Sequence, residues 1–224
     1  NYERVKSAKV NLSINSDAVR FMLDLRDSYG SYASMIKIGG LIGCKNDCYL
    51  PEQGLSKLES ETFHLWQINH LAKAGVDFLM ASTLPNVNEA IGIAKAMEKT
   101  SVPYILSFVI ERKGLVLDGT SLWDAISQID SETRHQPLCY MVNCSYPTFL
   151  RAEEQPNELF TRLLGFQANS SSLSHSELEG SLQLHTENLS EWANEMLKLN
   201  KDYGIKILGG CCGTDDTYLR SLIE

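Results

Sequence analysis

Three of the six cysteines in this chain stand at positions from which thiol chemistry can act. Cys144 closes the run LCYMVNC, and Cys211 and Cys212 follow a glycine pair in ILGGCCGT. A thiol ionises only near pH ~8.5, and the thiolate is the form that attacks carbon or binds metal. Three thiolates and one vacant position make a pattern for catalytic zinc, whereas structural zinc is usually closed by four protein ligands. Soft sulfur also selects zinc over magnesium or calcium. A thiol bound in the open position loses its proton at neutral pH. Three anionic ligands leave the centre a poor Lewis acid and its sulfur electron-rich, which suits alkyl transfer to sulfur better than hydrolysis. The competing reading is packing, since adjacent cysteines at the end of an apolar strand also serve as small buried residues. The flanking glycines free the backbone to turn both sulfurs toward one ion.

The elements that would position these residues alternate between short apolar runs and longer amphipathic ones. Strands are expected at Ser34–Gly43, Val76–Ala81, Pro103–Ile110, Leu138–Asn143, Leu163–Gln167 and Ile205–Gly209. Helices are expected at Leu55–Ala74, Asn86–Lys99, Ser121–Ile129, Leu189–Lys201 and Thr214–Ile223. Leu58, Phe63, Trp66, Ile68 and Leu71 give the first helix its apolar spacing, and Gly75 closes it. Repeating βα units imply a parallel sheet, either doubly wound or closed into a barrel. In both, the active site lies at the C-terminal ends of the strands, where all three cysteines fall. Cys144 and Cys211 are 67 residues apart, about two βα units, so strands bordering one mouth could bring them together. No strand is followed by a G-x-G-x-x-G or Walker loop. The Ser-rich stretch Ala168–Ser181 reads as a surface loop.

The other thiols and the histidines carry less. Cys44 and Cys48 lie four apart without a third ligand nearby and read as unpaired loop residues; Cys139 reads as core. His64, His70, His175 and His185 show no metal-ligand spacing and read as surface or packing residues. A net charge of −8 with no basic stretch excludes a phosphate-backbone partner, so nucleic acid is not expected. No apolar run approaches the ~20 residues that span a bilayer, and the opening NYERVKSAKV lacks the apolar segment of a signal peptide. A cytoplasmic protein acting on small molecules is expected. Oligomeric state stays open, a homodimer being one option.

The pairing of Val142–Ser145 (VNCS) with Gly209–Gly213 (GGCCG) resembles the homocysteine S-methyltransferase family. The likeness extends through Ile38–Gly43, GVDFLMASTLPNVNEA, SFVI and LDGTSL, covering most of the chain from about Ile36 onward. It implies a (βα)8 TIM-type barrel forming one domain over residues 1–224, zinc held by Cys144, Cys211 and Cys212, and methyl transfer to homocysteine to give methionine. The lone catalytic domain favours a direct donor of the S-methylmethionine or S-adenosylmethionine type. Ser82, Thr83, Asn143 and Asn169 are the positions the resemblance places near substrate. Two features depart from the family. Its first strand, with Asp-Gly-Gly, has no counterpart, so the barrel is expected to lack its first one or two βα units. Ser82 stands where a glutamate usually contacts the substrate amine, and a hydroxyl cannot supply that charge. A divergent barrel acting on another thiol, or binding zinc without catalysis, is the alternative.

Overall fold

The computed structural model describes residues 1–223. Two helices come first, α1 (Tyr2–Ser7) and α2 (Ile14–Asp27). Neither stands out in the apolar pattern, because each buries a single residue, Val5 and Val19. A 3-10 turn over Gly30–Met35 then confines the first strand, β1, to Gly39–Gly43, shorter than the Ser34–Gly43 expected. There follow α3 (Lys57–Ala74), β2 (Phe78–Leu84), α4 (Val87–Met97), β3 (Tyr104–Phe108), α5 (Leu122–Glu132) and β4 (Cys139–Ser145). The chain continues through β5 (Leu163–Ala168), α6 (His175–Leu178), α7 (Leu189–Tyr203), β6 (Ile207–Gly210) and α8 (Asp216–Arg220).

Local chemistry explains where the helices start. Ser56 and Glu59 form a reciprocal capping box at α3, and Asn86, Ser121 and Asn188 each accept backbone N–H groups at α4, α5 and α7. The C-terminal helix is shorter than Thr214–Ile223 because its cap is Asp215, whose side chain accepts from Thr217 N.

The six strands are all parallel and lie in sequence order, β1-β2-β3-β4-β5-β6. A doubly wound sheet reverses its direction of travel at a switch point. Here every crossover steps the same way, so the sheet curls into a half-barrel with β1 and β6 as its edges. On the convex side Leu106, Tyr140, Phe166, Ile91, Ile93 and Trp192 fill the layer between sheet and helices. On the concave side Ile105, Cys139 and Met141 cluster with Phe78, Met80 and Leu164. Toward the two edges that lining becomes exposed, as at Leu41 (61%) on β1 and Ile207 (41%) on β6. No helix of the described residues is long and apolar enough to cross a membrane.

α3 and α4 approach closely at Gly92. A Cβ there would lie 2.4 Å from the Lys57 carbonyl oxygen and 2.5 Å from Ser60 Cβ. The carbonyl belongs to a helix and cannot swing aside, so the helices must separate. Gly92→Ala is expected to cost about 1–3 kcal/mol by overpacking, read as a lower midpoint in chemical denaturation. An unchanged midpoint would show that the α3–α4 contact is soft.

Candidate metal centre

Cys144 was expected just past a strand, but it lies inside β4, at a bulge. The β4–β5 register shifts between Asn143 and Ser145, and Cys144 has φ 53°. β2 shows the same device: its register with β3 shifts between Ala81 and Leu84, and Thr83 has φ 57°. A left-handed backbone costs a residue other than glycine about 1–3 kcal/mol and persists only where neighbours impose it. Asn143 supplies much of that constraint. Its Oδ1 accepts from Thr83 N at 2.8 Å and from Ser107 Oγ at 2.7 Å, and its Nδ2 donates to Thr83 Oγ1 at 2.6 Å. On the other side of the bulge Ser145 Oγ accepts from Ile110 N and donates to Ile110 O, both at 3.1 Å. Both bulges thus re-aim their side chains toward one mouth.

Cys211 and Cys212 come from the loop after β6. Cys211 N donates to Ala168 O at 2.7 Å, and Ser170 N donates to Cys212 O at 3.0 Å, which extends the β5–β6 pairing past the sheet. Cys212 N donates to Asn169 Oδ1 at 3.2 Å, and Trp192 Nε1 fixes Asn169 by donating to its carbonyl at 2.9 Å. Gly213 then turns with φ 79°, where a Cβ would meet Ser170 Oγ at 2.1 Å, so only glycine lets the chain leave.

The three sulfurs converge. Cys144 Sγ lies 2.8 Å from Cys211 Sγ and 3.9 Å from Cys212 Sγ, and all three fall within 4.8 Å of one another. They grade from buried Cys144 through half-buried Cys211 to exposed Cys212. Hydrogen bonds from Cys144 and Cys212 hold the Cys211 thiol far below its usual range. The same Cys211 bond, then Cys212 and burial, pin the proton on Cys144. At Cys212 the Cys144 bond pulls the pKa down, but Cys211 and burial outweigh it and the thiol is raised. Sulfurs on a tetrahedron with ~2.3 Å bonds stand about 3.8 Å apart, which the Cys144–Cys212 separation matches. The Cys144–Cys211 pair stands closer than this and would open by about 1 Å to admit zinc. The donor set therefore fits zinc.

Of the other expected positions, Thr83 adjoins the sulfurs, its Oγ1 lying 3.9 Å from Cys144 Sγ. Ser82 is half-buried within β2, two residues before its end and opposite Gly43. Asn143 and Asn169 are both buried, their amides engaged with Thr83, Ser107 and Cys212 N, so they act on the cysteine turns directly. Asn143→Ala should weaken zinc binding by about 10–100-fold, the usual effect of deleting a group that orients a ligand. Chelator competition measures it, and unchanged affinity would mean that Ser145 alone holds the bulge.

Two residues at this mouth have no spacing signal in the sequence. Tyr49, on the β1–α3 loop, stacks on His175 at the start of α6, with ring centroids 3.7 Å apart and planes 24° apart. Burial, the largest cause, raises the Tyr49 phenol. Burial lowers the His175 pKa, against the pull of the Cys144 backbone and the Cys211 and Asp47 charges. The one available clue was topological: the β1–α3 loop leaves the same face of the sheet as the cysteines. His64, by contrast, is a packing residue, its Nε2 3.1 Å from buried Glu89.

A curled parallel sheet with three convergent thiols at its C-terminal mouth defines an α/β half-barrel with a candidate metal centre. The profile of the homocysteine S-methyltransferase family matches residues 2–224, and the chain belongs to that family. The match includes the two N-terminal helices, beyond the stretch from Ile36 on which the resemblance rested. Homocysteine S-methyltransferase 2 of Arabidopsis thaliana is 25% identical over 201 residues, covering 87% of this chain and 57% of that protein. The selenocysteine Se-methyltransferase of Brassica oleracea var. italica is 24% identical over 172 residues, covering 71% of this chain and 46% of that protein. The chain thus spans roughly half the length of these relatives. The metallated form of the Escherichia coli homocysteine methyltransferase MmuM shares the fold with TM-score 0.70 and 20% identity, covering 93% of this chain and 68% of that one.

Proposed function

We propose that this chain transfers a methyl group from a direct donor of the S-methylmethionine or S-adenosylmethionine type to the thiol of homocysteine, forming methionine. The observation that carries this reading is the convergence of Cys144, Cys211 and Cys212 within 4.8 Å at the mouth of the half-barrel. Those three residues would hold zinc, which ionises a bound thiol at neutral pH. The acceptor thiol then gives its proton to solvent, and its sulfur lone pair forms the new bond to the methyl carbon. The bond from that carbon to the donor sulfur breaks, its electron pair stays on the donor, and a neutral thioether leaves. Asn143 and Thr83 hold the Cys144 turn, while Asn169 holds the Cys212 turn, so the sulfurs are placed before substrate arrives. Ser82 and Thr83 would meet the amino-acid end of the acceptor.

The test is zinc content together with methionine formation from homocysteine and each donor. One zinc per chain with turnover supports the assignment; a zinc-loaded protein that turns over none of the donors would sink it. Ser82 motivates a second reading, a divergent barrel that binds zinc without methylating homocysteine, since its hydroxyl brings no charge to an ammonium. Homocysteine binding to the zinc-loaded chain, seen by calorimetry, would count against that second reading.

A further inference from the structure

Beside Cys212 the mouth opens into a cavity of ≈ 480 Å³, within the ~300–1,000 Å³ range of small-molecule sites. Asp47, Tyr49, His175, Leu178, Glu179 and Cys212 are among its lining residues, and no lysine or arginine is among them. Three features give this space a chemical preference. First, its charge is negative. Asp47 Oδ1 accepts from Tyr49 N at 2.8 Å, which leaves the second carboxylate oxygen free, and the Glu179 carboxylate has no hydrogen-bond or ion-pair partner among the described residues. Second, the stacked Tyr49 and His175 rings form an aromatic wall, and aromatic faces attract desolvated cations. Third, His175 Nε2 is buried without a hydrogen-bond partner among the described residues, a polar atom that an incoming ligand can satisfy. The wall is also held in place: Arg112 Nη2 donates to Ser172 O at 2.9 Å and to Glu177 Oε2 at 2.6 Å, tying α6 to the loop after β3.

We propose that this cavity seats the cationic end of the methyl donor, with Tyr49 and His175 as its aromatic wall and Asp47 and Glu179 as its counter-charge. The inference rests on the methyl-transfer reading for the donor's identity, but its physical content is a cation site beside Cys212. A sulfonium seated there lies next to the exposed member of the sulfur cluster, so its methyl group faces the position where the acceptor thiolate forms. Its positive charge is lost when the methyl leaves, so the carboxylates favour donor over product and promote release of the neutral thioether. Tyr49, His175, Asp47 and Glu179 are thus positioning residues for the donor.

Calorimetry on the zinc-loaded chain tests this with S-methylmethionine and, as a neutral counterpart of similar size, methionine sulfoxide. The cation is expected to bind at least about tenfold more tightly than the sulfoxide, the scale of a partly desolvated cation–π contact plus counter-charge. Tyr49→Leu and His175→Ala should each weaken the cation by about tenfold, with zinc content unchanged. Asp47→Asn keeps the acceptor for Tyr49 N and should weaken it by a few-fold, an effect that salt erases. Where turnover is measurable, the Asp47 and His175 variants should raise the donor KM and leave the homocysteine KM unchanged. Equal binding of cation and sulfoxide, or full cation affinity in both aromatic variants, overturns the proposal. Cation binding without methyl transfer would support the site and reject the methyltransferase reading.

Discussion

Cys211→Ala is expected to leave the chain folded, without zinc and without methyl transfer. The substitution removes one of the three converging sulfurs, the one 2.8 Å from Cys144 Sγ. It spares the backbone bonds of the turn, Cys211 N to Ala168 O and Thr214 N to Cys211 O, so the loop after β6 keeps its path. Two cysteines cannot replace three, because each lost zinc–sulfur bond removes a share of binding energy that totals about 10–16 kcal/mol in structural zinc sites. Zinc should fall from about one per chain to less than a tenth, and turnover by on the order of 10³. Metal analysis beside an unchanged far-ultraviolet dichroism spectrum checks both halves. A variant that retains zinc and turnover would place the metal elsewhere.

The second large effect is on stability, at Glu89 on α4. Its side chain is 1% exposed, as is that of His64. Oε1 accepts from Lys45 N at 2.8 Å and lies 3.1 Å from His64 Nε2, while Oε2 accepts from Leu55 N at 3.1 Å. One carboxylate therefore pins both ends of the β1–α3 loop, which carries Cys48 and Tyr49 to the mouth. Burial pushes this carboxyl up, but the bonds from His64, Lys45 N and Leu55 N outweigh it and hold the pKa below the usual range. Glu89→Ala should cost about 3–5 kcal/mol at pH 7, the penalty for removing one partner of a buried, bonded charge. Because the folded pKa lies below the unfolded value of ~4.3, the stabilisation is fully present above that pH and fades as pH falls through the folded value. The gap between parent and variant in denaturation midpoint should thus be wide at pH 7 and narrow below about pH 4. A gap that stays constant into acid would show that the carboxylate charge is not what holds the loop.

Much of this protein could be read from residue order. Apolar runs marked all six strands, most plainly the inner ones, since strands buried on both faces must be nearly continuous in apolar residues, as in CYMV of β4. Gly75 marked the end of α3, because glycine takes the left-handed turn that closes a helix. α1 and α2 escaped, since a helix that buries one residue leaves almost no periodic signal. The VNCS and GGCCG motifs likewise carried the family, which the match over residues 2–224 shows.

The residues of the mouth divide the same way. The sequence by itself determined which thiols, glycines and strand ends were available, because propensity, capping and alternation act between near neighbours. The tertiary structure decided what those residues face. The left-handed turns at Thr83 and Cys144 exist because Asn143 bonds across 60 residues to Thr83 and Ser107 holds that amide from β3. The Tyr49–His175 stack joins two loops that only the curl of the sheet brings together. Spacing along the chain carries no information about such contacts, whose geometry is set by the order and twist of six strands acting at once.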